Sequence, residues 1–334
     1  MSPEEKAATT FNATFVRPAK FYLIEFSSIP HGTFYCVFLF FVYIMTVFGN
    51  GLLLSVIYLV RTLHTPKYMI VFNLALTDLC GSTALIPKLL DTFLFDRRYV
   101  VYEACLSYMF FVLFYTGMQS WVLAIMSYDR FIAICFPLKY HSIVTTPAIV
   151  AMLLSVWVFI FSLAAFSVWL IDRLSFCGSL VINSFFCDHG PVHRLACNDT
   201  TLNRIVGYVS FIIVPCLPLV LIALTYVCIS IALSRTASRK ERVKALKTCT
   251  SHLILVAIFV LPILGTKIAT AASSINHIGR IVNTSLTYTV PALLNPIIYS
   301  LKTEDVLKSI KKLCKINRIS KTTLSQKVNS LSLL

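Results

Sequence analysis

Apolar positions along this chain come in long unbroken runs instead of alternating with polar ones. Residues 26–60, 104–128, 140–171, 205–234 and 281–301 contain no Asp, Glu, Lys or Arg. A helix needs about 20 predominantly apolar residues to cross a hydrocarbon core roughly 30 Å thick, and each of these runs is long enough. Two further stretches qualify with charge embedded in them: 68–94 holds Asp78, Lys88 and Asp91, and 245–272 holds Lys247, His252 and Lys267. The connections at 61–67 and 235–244 are too short to hide an unplaced apolar segment, so the pattern predicts seven spans, at about 34–60, 68–94, 104–135, 147–171, 205–233, 243–272 and 279–301. The expected architecture is all-α: a seven-transmembrane helix bundle at 34–301, an N-terminal tail at 1–33, a long outer loop at 172–204, and a tail at 302–334.

Composition agrees with a membrane solvent. The 334 residues are 57% hydrophobic and only 13% charged, against roughly 25% charged in a soluble domain. Of the 29 Lys and Arg residues, 18 lie in 61–67, 129–146, 235–247 and from 302 onward, so nearly all of the net +15 sits on one face. Basic residues near span ends mark the cytoplasmic side, which puts the N-terminus outside and the C-terminus inside a multi-pass plasma-membrane protein. Attraction to anionic inner-leaflet lipid accounts for the basic excess, and no nucleic-acid motif accompanies it. Residues 1–20 lack the apolar core of a removable signal peptide, so the first span is expected to act as its own insertion signal. Asn12-Ala13-Thr14 and Asn198-Asp199-Thr200 fit the N-glycosylation pattern, and Asn12 is the favoured acceptor.

Of eleven cysteines, four fall on the outer side: Cys105, Cys177, Cys187 and Cys197. An even number in an oxidising compartment predicts two bridges, with three connectivities open. Within the spans, Asn50, Asp78 and Asn295 sit near mid-membrane. An ionisable group there needs partners and marks function. Asn50, Asn295, a water or a bound cation could partner Asp78, and a purely structural polar knot is the alternative. Prolines at 215, 218, 262 and 296 provide weak points in the last three spans, since Pro removes a backbone donor. At the inner end of the third span Asp129 adjoins Arg130, whose planar fork suits a carboxylate.

These features coincide with specific strings. Gly49-Asn50, LHTPKY at 63–68, NLALTDL at 73–79, MSYDRFIAICFPLKY at 126–140, KALKTCTSHL at 244–253 and PALLNPIIYSL at 291–301 occur in order, with FC at 176–177, FFCD at 185–188 and LACNDT at 195–200. Over roughly residues 20–313 the chain resembles a rhodopsin-like G-protein-coupled receptor of the odorant (olfactory) receptor family. The resemblance implies bridges Cys105–Cys187 and Cys177–Cys197. It implies a switch in which Asp129, Arg130, Tyr226, Asn295, Pro296 and Tyr299 respond to ligand. It implies a short amphipathic helix at 303–313 along the inner leaflet, with Cys314 just beyond it a palmitoylation candidate. The implied partner is a stimulatory heterotrimeric G protein that raises cyclic AMP, and no cofactor is implied.

Three departures from the family pattern stand out. Gln119 occupies a place where mammalian members commonly carry Glu, which weakens a sodium site shared with Asp78. Val260-Leu261 replaces the usual Tyr-Gly, and PKYMIVF at 66–72 replaces Pro-Met-Tyr-Phe-Phe. Such traits resemble the fish-type branch.

By position the ligand pocket is expected to be lined by Val112, Leu113, Thr116, Ser210, Phe211, Ile263, Leu264, Lys267, Ser285 and Tyr288. Most are apolar, with a few polar groups to fix orientation. Lys267 either snorkels to the interface along its stem or provides the counter-charge for an anionic small-molecule odorant. Rival classes fail on chemistry. The last apolar run, 281–301, has no lysine for a retinal Schiff base, no internal repeat suggests a transporter, and no paired carboxylates or His-Glu-x-x-His cluster suggest an enzyme. The remaining alternative is a non-olfactory rhodopsin-like receptor for a small organic acid or lipid.

Overall fold

In hydrocarbon a single segment can satisfy its backbone only by closing its hydrogen bonds internally, and the apolar runs do so as helices. The computed structural model describes residues 16–23, 32–94, 98–184, 186–235, 239–271, 277–302 and 305–312. The long helices are α1 (Gly32–Leu59), α2 (Pro66–Leu94), α3 (Tyr102–Cys135), α5 (Thr146–Asp172), α9 (Arg239–Ala271) and α10 (His277–Lys302), with a single turn, α4 (Tyr140–Ile143), between α3 and α5. A further rod is composite: α7 (Thr201–Phe211), a π turn at Ile212–Cys216, then α8 (Leu217–Arg235). Together they form seven rods. Six of them are long and apolar enough to cross a membrane among the described residues, and α10 completes the bundle. Most extend one to four residues beyond the expected spans, because helical hydrogen bonding continues past the apolar run.

Local chemistry sets the helix ends. Thr145 caps α5 by accepting from the Ala148 amide at 3.4 Å, and Pro147 occupies the first turn, where its missing N–H costs nothing. In the composite rod, Pro215 has no N–H to return to the carbonyl four residues back. The rod widens there into a π turn, and the Ser120 hydroxyl donates to the Val214 carbonyl at 2.6 Å.

The bundle is inside-out relative to a water-soluble protein. Phe34, Phe41 and Phe48, spaced seven apart on one stripe of α1, are each at least 65% exposed, which is favourable only against lipid. Inside, α3 packs against α2, α5, α8 and α9. Its approach to α5 is close: a Cβ added at Gly117 would lie 2.6 Å from Ile160 Cγ2. Gly49 similarly lets α1 meet α10, with Pro296 Cγ 3.0 Å from the place a Cβ would occupy.

One end of the bundle carries a small sheet that the apolar pattern did not announce. Strands β1 (Lys20–Leu23), β2 (Tyr99–Val101) and β3 (Val181–Ile182) lie in the order β2-β1-β3, the first pair antiparallel and the second parallel. Phe21, Leu23, Val100, Phe176 and Ile182 are buried beneath it. Arg17 pairs with Asp172 at 2.6 Å and holds the tail to the end of α5. At the opposite end, residues 305–312 are helical. Val306 is buried, and Asp305 accepts from the Tyr68 hydroxyl at 3.1 Å, fastening this short amphipathic helix to α2.

Candidate functional site

Beneath the sheet a cavity of about 560 Å³ opens between α3, α5, the α7–α8 rod, α9 and α10. Its floor is apolar, with Val112, Leu113, Phe259 and Ile263 among its side chains. Thr116, Ser210, Phe211 and Tyr288 also line it. Leu264 packs against the core and Ser285 is hydrogen-bonded to Tyr35, so neither joins the lining. The side chain of Lys267 lies outside the described residues, as do Asn12 and Cys314.

The ceiling is the part the sequence analysis missed. It is built by the segment between β3 and α7, which contains a short helix α6 (His189–His193). The bridge Cys105–Cys187 (Cα–Cα 5.3 Å) ties this segment to α3, and Cys177–Cys197 (Cα–Cα 6.0 Å) closes it on itself. Asp188, His189, His193, Arg194, Asn203 and Arg204 thereby reach the cavity. The FFCD and LACNDT strings could have indicated this, because a charged residue next to a bridged cysteine has its position fixed. The Asn203 amide nitrogen and the Ser210 hydroxyl are buried with no hydrogen-bond partner among the described residues.

A polar knot lies further down the bundle. Asp78, fully buried, accepts from the Gln119 amide on one oxygen and from the Asn295 amide at 2.7 Å on the other. Asn50 serves a different purpose: it donates to the Thr46 and Ala292 carbonyls at 3.0 and 2.9 Å, joining α1 to α10. Each oxygen of Asp78 receives one amide hydrogen, so the carboxylate has protein partners from two other helices. The other embedded charges of α2 neutralise each other, since Lys88 pairs with Asp91 at 2.7 Å.

At the end opposite the sheet, Asp129 accepts from the Tyr140 hydroxyl at 2.8 Å while Arg130 Nε lies 3.7 Å from its other oxygen. The Tyr226 hydroxyl is 2.9 Å from His252 Nδ1, and His252 Nε2 reaches the Leu123 carbonyl at 3.1 Å, which links α8, α9 and α3. The Tyr299 hydroxyl donates to Met126 Sδ at 3.2 Å. Pro296 is buried against α1. These side chains bridge separate helices near one end, where any relative tilt must break or remake them.

The family profile described as "Olfactory receptor" matches residues 39–316. The chain belongs to the olfactory receptor family. Olfactory receptor 1 of Rattus norvegicus is 37% identical over 284 residues, covering 84% of this chain and 90% of that one. Olfactory receptor 1J1 of Homo sapiens is 35% identical over 271 residues, covering 81% and 84%. The crystal structure of squid rhodopsin superposes with a TM-score of 0.70 at 17% identity, covering 85% of this chain and 86% of that one, and so shares the fold. This olfactory receptor is thus a rhodopsin-like, multi-pass signalling protein and not an enzyme.

Proposed function

We propose that this receptor lies in the plasma membrane with its N-terminus outside, and that a small organic odorant enters the 560 Å³ cavity and tilts the helices. The tilt frees Arg130 for a stimulatory G protein, which raises cyclic AMP. The observation that carries this reading is the cavity itself. Its volume falls in the range of small-molecule sites, about 300–1,000 Å³, and its floor is apolar with polar groups in the walls. The basic excess at the opposite end supports the orientation. Asn12 would then carry its glycan outside.

The switch would act through Asp129, Arg130, Tyr226, Asn295, Pro296 and Tyr299, whose bridges between helices offer two alternative arrangements. The odorant would include an anionic group, because Arg194 and Arg204 reach the cavity and Lys267 belongs to the same end of α9 by sequence. A cyclic AMP reporter in cells expressing the full chain tests the reading. Odorant-dependent output should disappear in Arg130→Ala at equal surface expression. An N-terminal tag should stain on intact cells and a C-terminal tag only after permeabilisation. Output that persists in Arg130→Ala, or both tags staining on intact cells, would overturn it.

A further inference from the structure

The cavity ceiling carries charges of both signs that do not pair with one another. Among the described residues the ion pairs are Arg17–Asp172, Lys88–Asp91 and Arg130–Asp129. Asp188, Arg194 and Arg204 all line the cavity and enter none of them. Arg204 donates to the Thr201 hydroxyl at 3.2 Å and lies within the electrostatic reach of the exposed Asp199 carboxylate. Asp188 precedes α6 but does not cap it with its side chain, so its carboxylate is not used in holding the helix. Asp188, Arg194 and Arg204 share the cavity wall with His193, Asp188 half-buried and the two arginines exposed.

A ligand with one charge fits such a wall badly. An anion satisfies the arginines and meets Asp188 as a like charge, whereas a cation does the reverse. A neutral ligand would leave the half-buried Asp188 without a partner while the exposed Arg194 and Arg204 stay hydrated. A molecule with separated charges satisfies both ends. Below the wall, Val112, Leu113 and Ile263 provide an apolar floor.

We infer that the odorant is a zwitterion, an amino acid with a short apolar side chain, whose carboxylate meets Arg194 and Arg204 and whose ammonium meets Asp188. This rests on reading the cavity as the ligand site and sharpens the ligand class. Guanidinium groups provide paired donors for the carboxylate, and the disulfide at Cys187 holds Asp188 in place relative to α3.

The test uses four compounds of matched chain on the purified full-length receptor: norleucine, its deaminated analogue hexanoate, its decarboxylated analogue pentylamine, and neutral pentanol. Binding is read as a thermal shift, with cyclic AMP output measured in cells in parallel. Norleucine should bind at least tenfold more tightly than each of the others. Asp188→Asn should lower its affinity to that of hexanoate, and the double variant Arg194→Gln/Arg204→Gln to that of pentylamine. Asp188→Glu, which keeps the charge, should preserve the preference and shows that the loss is not misfolding. Hexanoate or pentylamine binding as tightly as norleucine, or an unchanged ranking in a folded Asp188→Asn receptor, would overturn the inference and leave the receptor reading standing. Norleucine that binds as expected but raises no cyclic AMP would instead sink the coupling reading and leave the pocket chemistry intact.

Discussion

The Asn295 side-chain amide donates to Asp78 Oδ2 across 2.7 Å, joining α10 to α2 at the centre of the bundle. Gln119 from α3 takes the other oxygen. Three helices therefore converge on one carboxylate, and its desolvation is offset by two amide dipoles instead of a fixed positive charge.

Removing one donor should expose that dependence. Asn295→Ala leaves one oxygen of Asp78 without a partner in a dry interior. A hydrogen bond to a charged group is worth about 1.5–3 kcal/mol, so the variant should melt earlier than wild type. Asp78→Asn in the Asn295→Ala background should recover part of the loss. Thermal denaturation of the detergent-purified receptors checks both, and additive losses would argue against direct coupling.

The contact of α3 with α5 is equally specific. Gly117→Ala places a methyl 2.6 Å from Ile160 Cγ2, and overpacking of this kind costs about 1–3 kcal/mol. The compensating Ile160→Ala should restore most of the stability when combined with Gly117→Ala, although alone it creates a cavity. A double-mutant cycle on melting temperature reads the coupling.

His193 makes the loop sensitive to acid. Burial pushes its pKa below the ordinary 6.5. The bond from its Nδ1 to the His189 carbonyl opposes that shift, Arg194 and Arg204 add to it, and Asp188 pulls the other way. The folded state thus binds a proton less readily than the unfolded chain. Stability contributed by neutral His193 is complete above pH 6.5 and declines as pH falls below it. The melting temperature of wild type should drop as pH falls below 6.5, and His193→Gln should flatten that slope.

Cutting the bridge Cys105–Cys187 should release the ceiling. Losing a native disulfide typically costs about 2–5 kcal/mol, and here it also frees Asp188 from its position. Cys187→Ser should lose ligand-induced thermal stabilisation even where receptor still reaches the surface. Retained ligand affinity would mean the ceiling is held by the sheet alone.

The sequence shows the rods clearly and the ceiling poorly, for a physical reason. A membrane span is announced by its own composition, so the runs at 26–60 or 205–234 are legible without reference to anything else. A strand such as Lys20–Leu23 is defined by partners 77 or more residues away, at Tyr99–Val101 and Val181–Ile182, and four residues carry no period. Asp78 was legible as a group in need of partners, but the choice of Gln119 over Asn50 depends on how the helices are rotated. Seven of the ten expected lining residues reach the cavity. Leu264 and Ser285 do not, because adjacent positions on a helix face different neighbours.

Strand β1 is the middle member of its sheet, so the segment before the first helix is what joins the loop after α5 to the start of α3. No residue of 16–23 lines the cavity, yet this short ribbon governs how far the roof can lift. Grafting the leading residues of a related receptor in its place should therefore alter how quickly an odorant comes and goes, and so how long each signal persists, without changing which odorants are recognised.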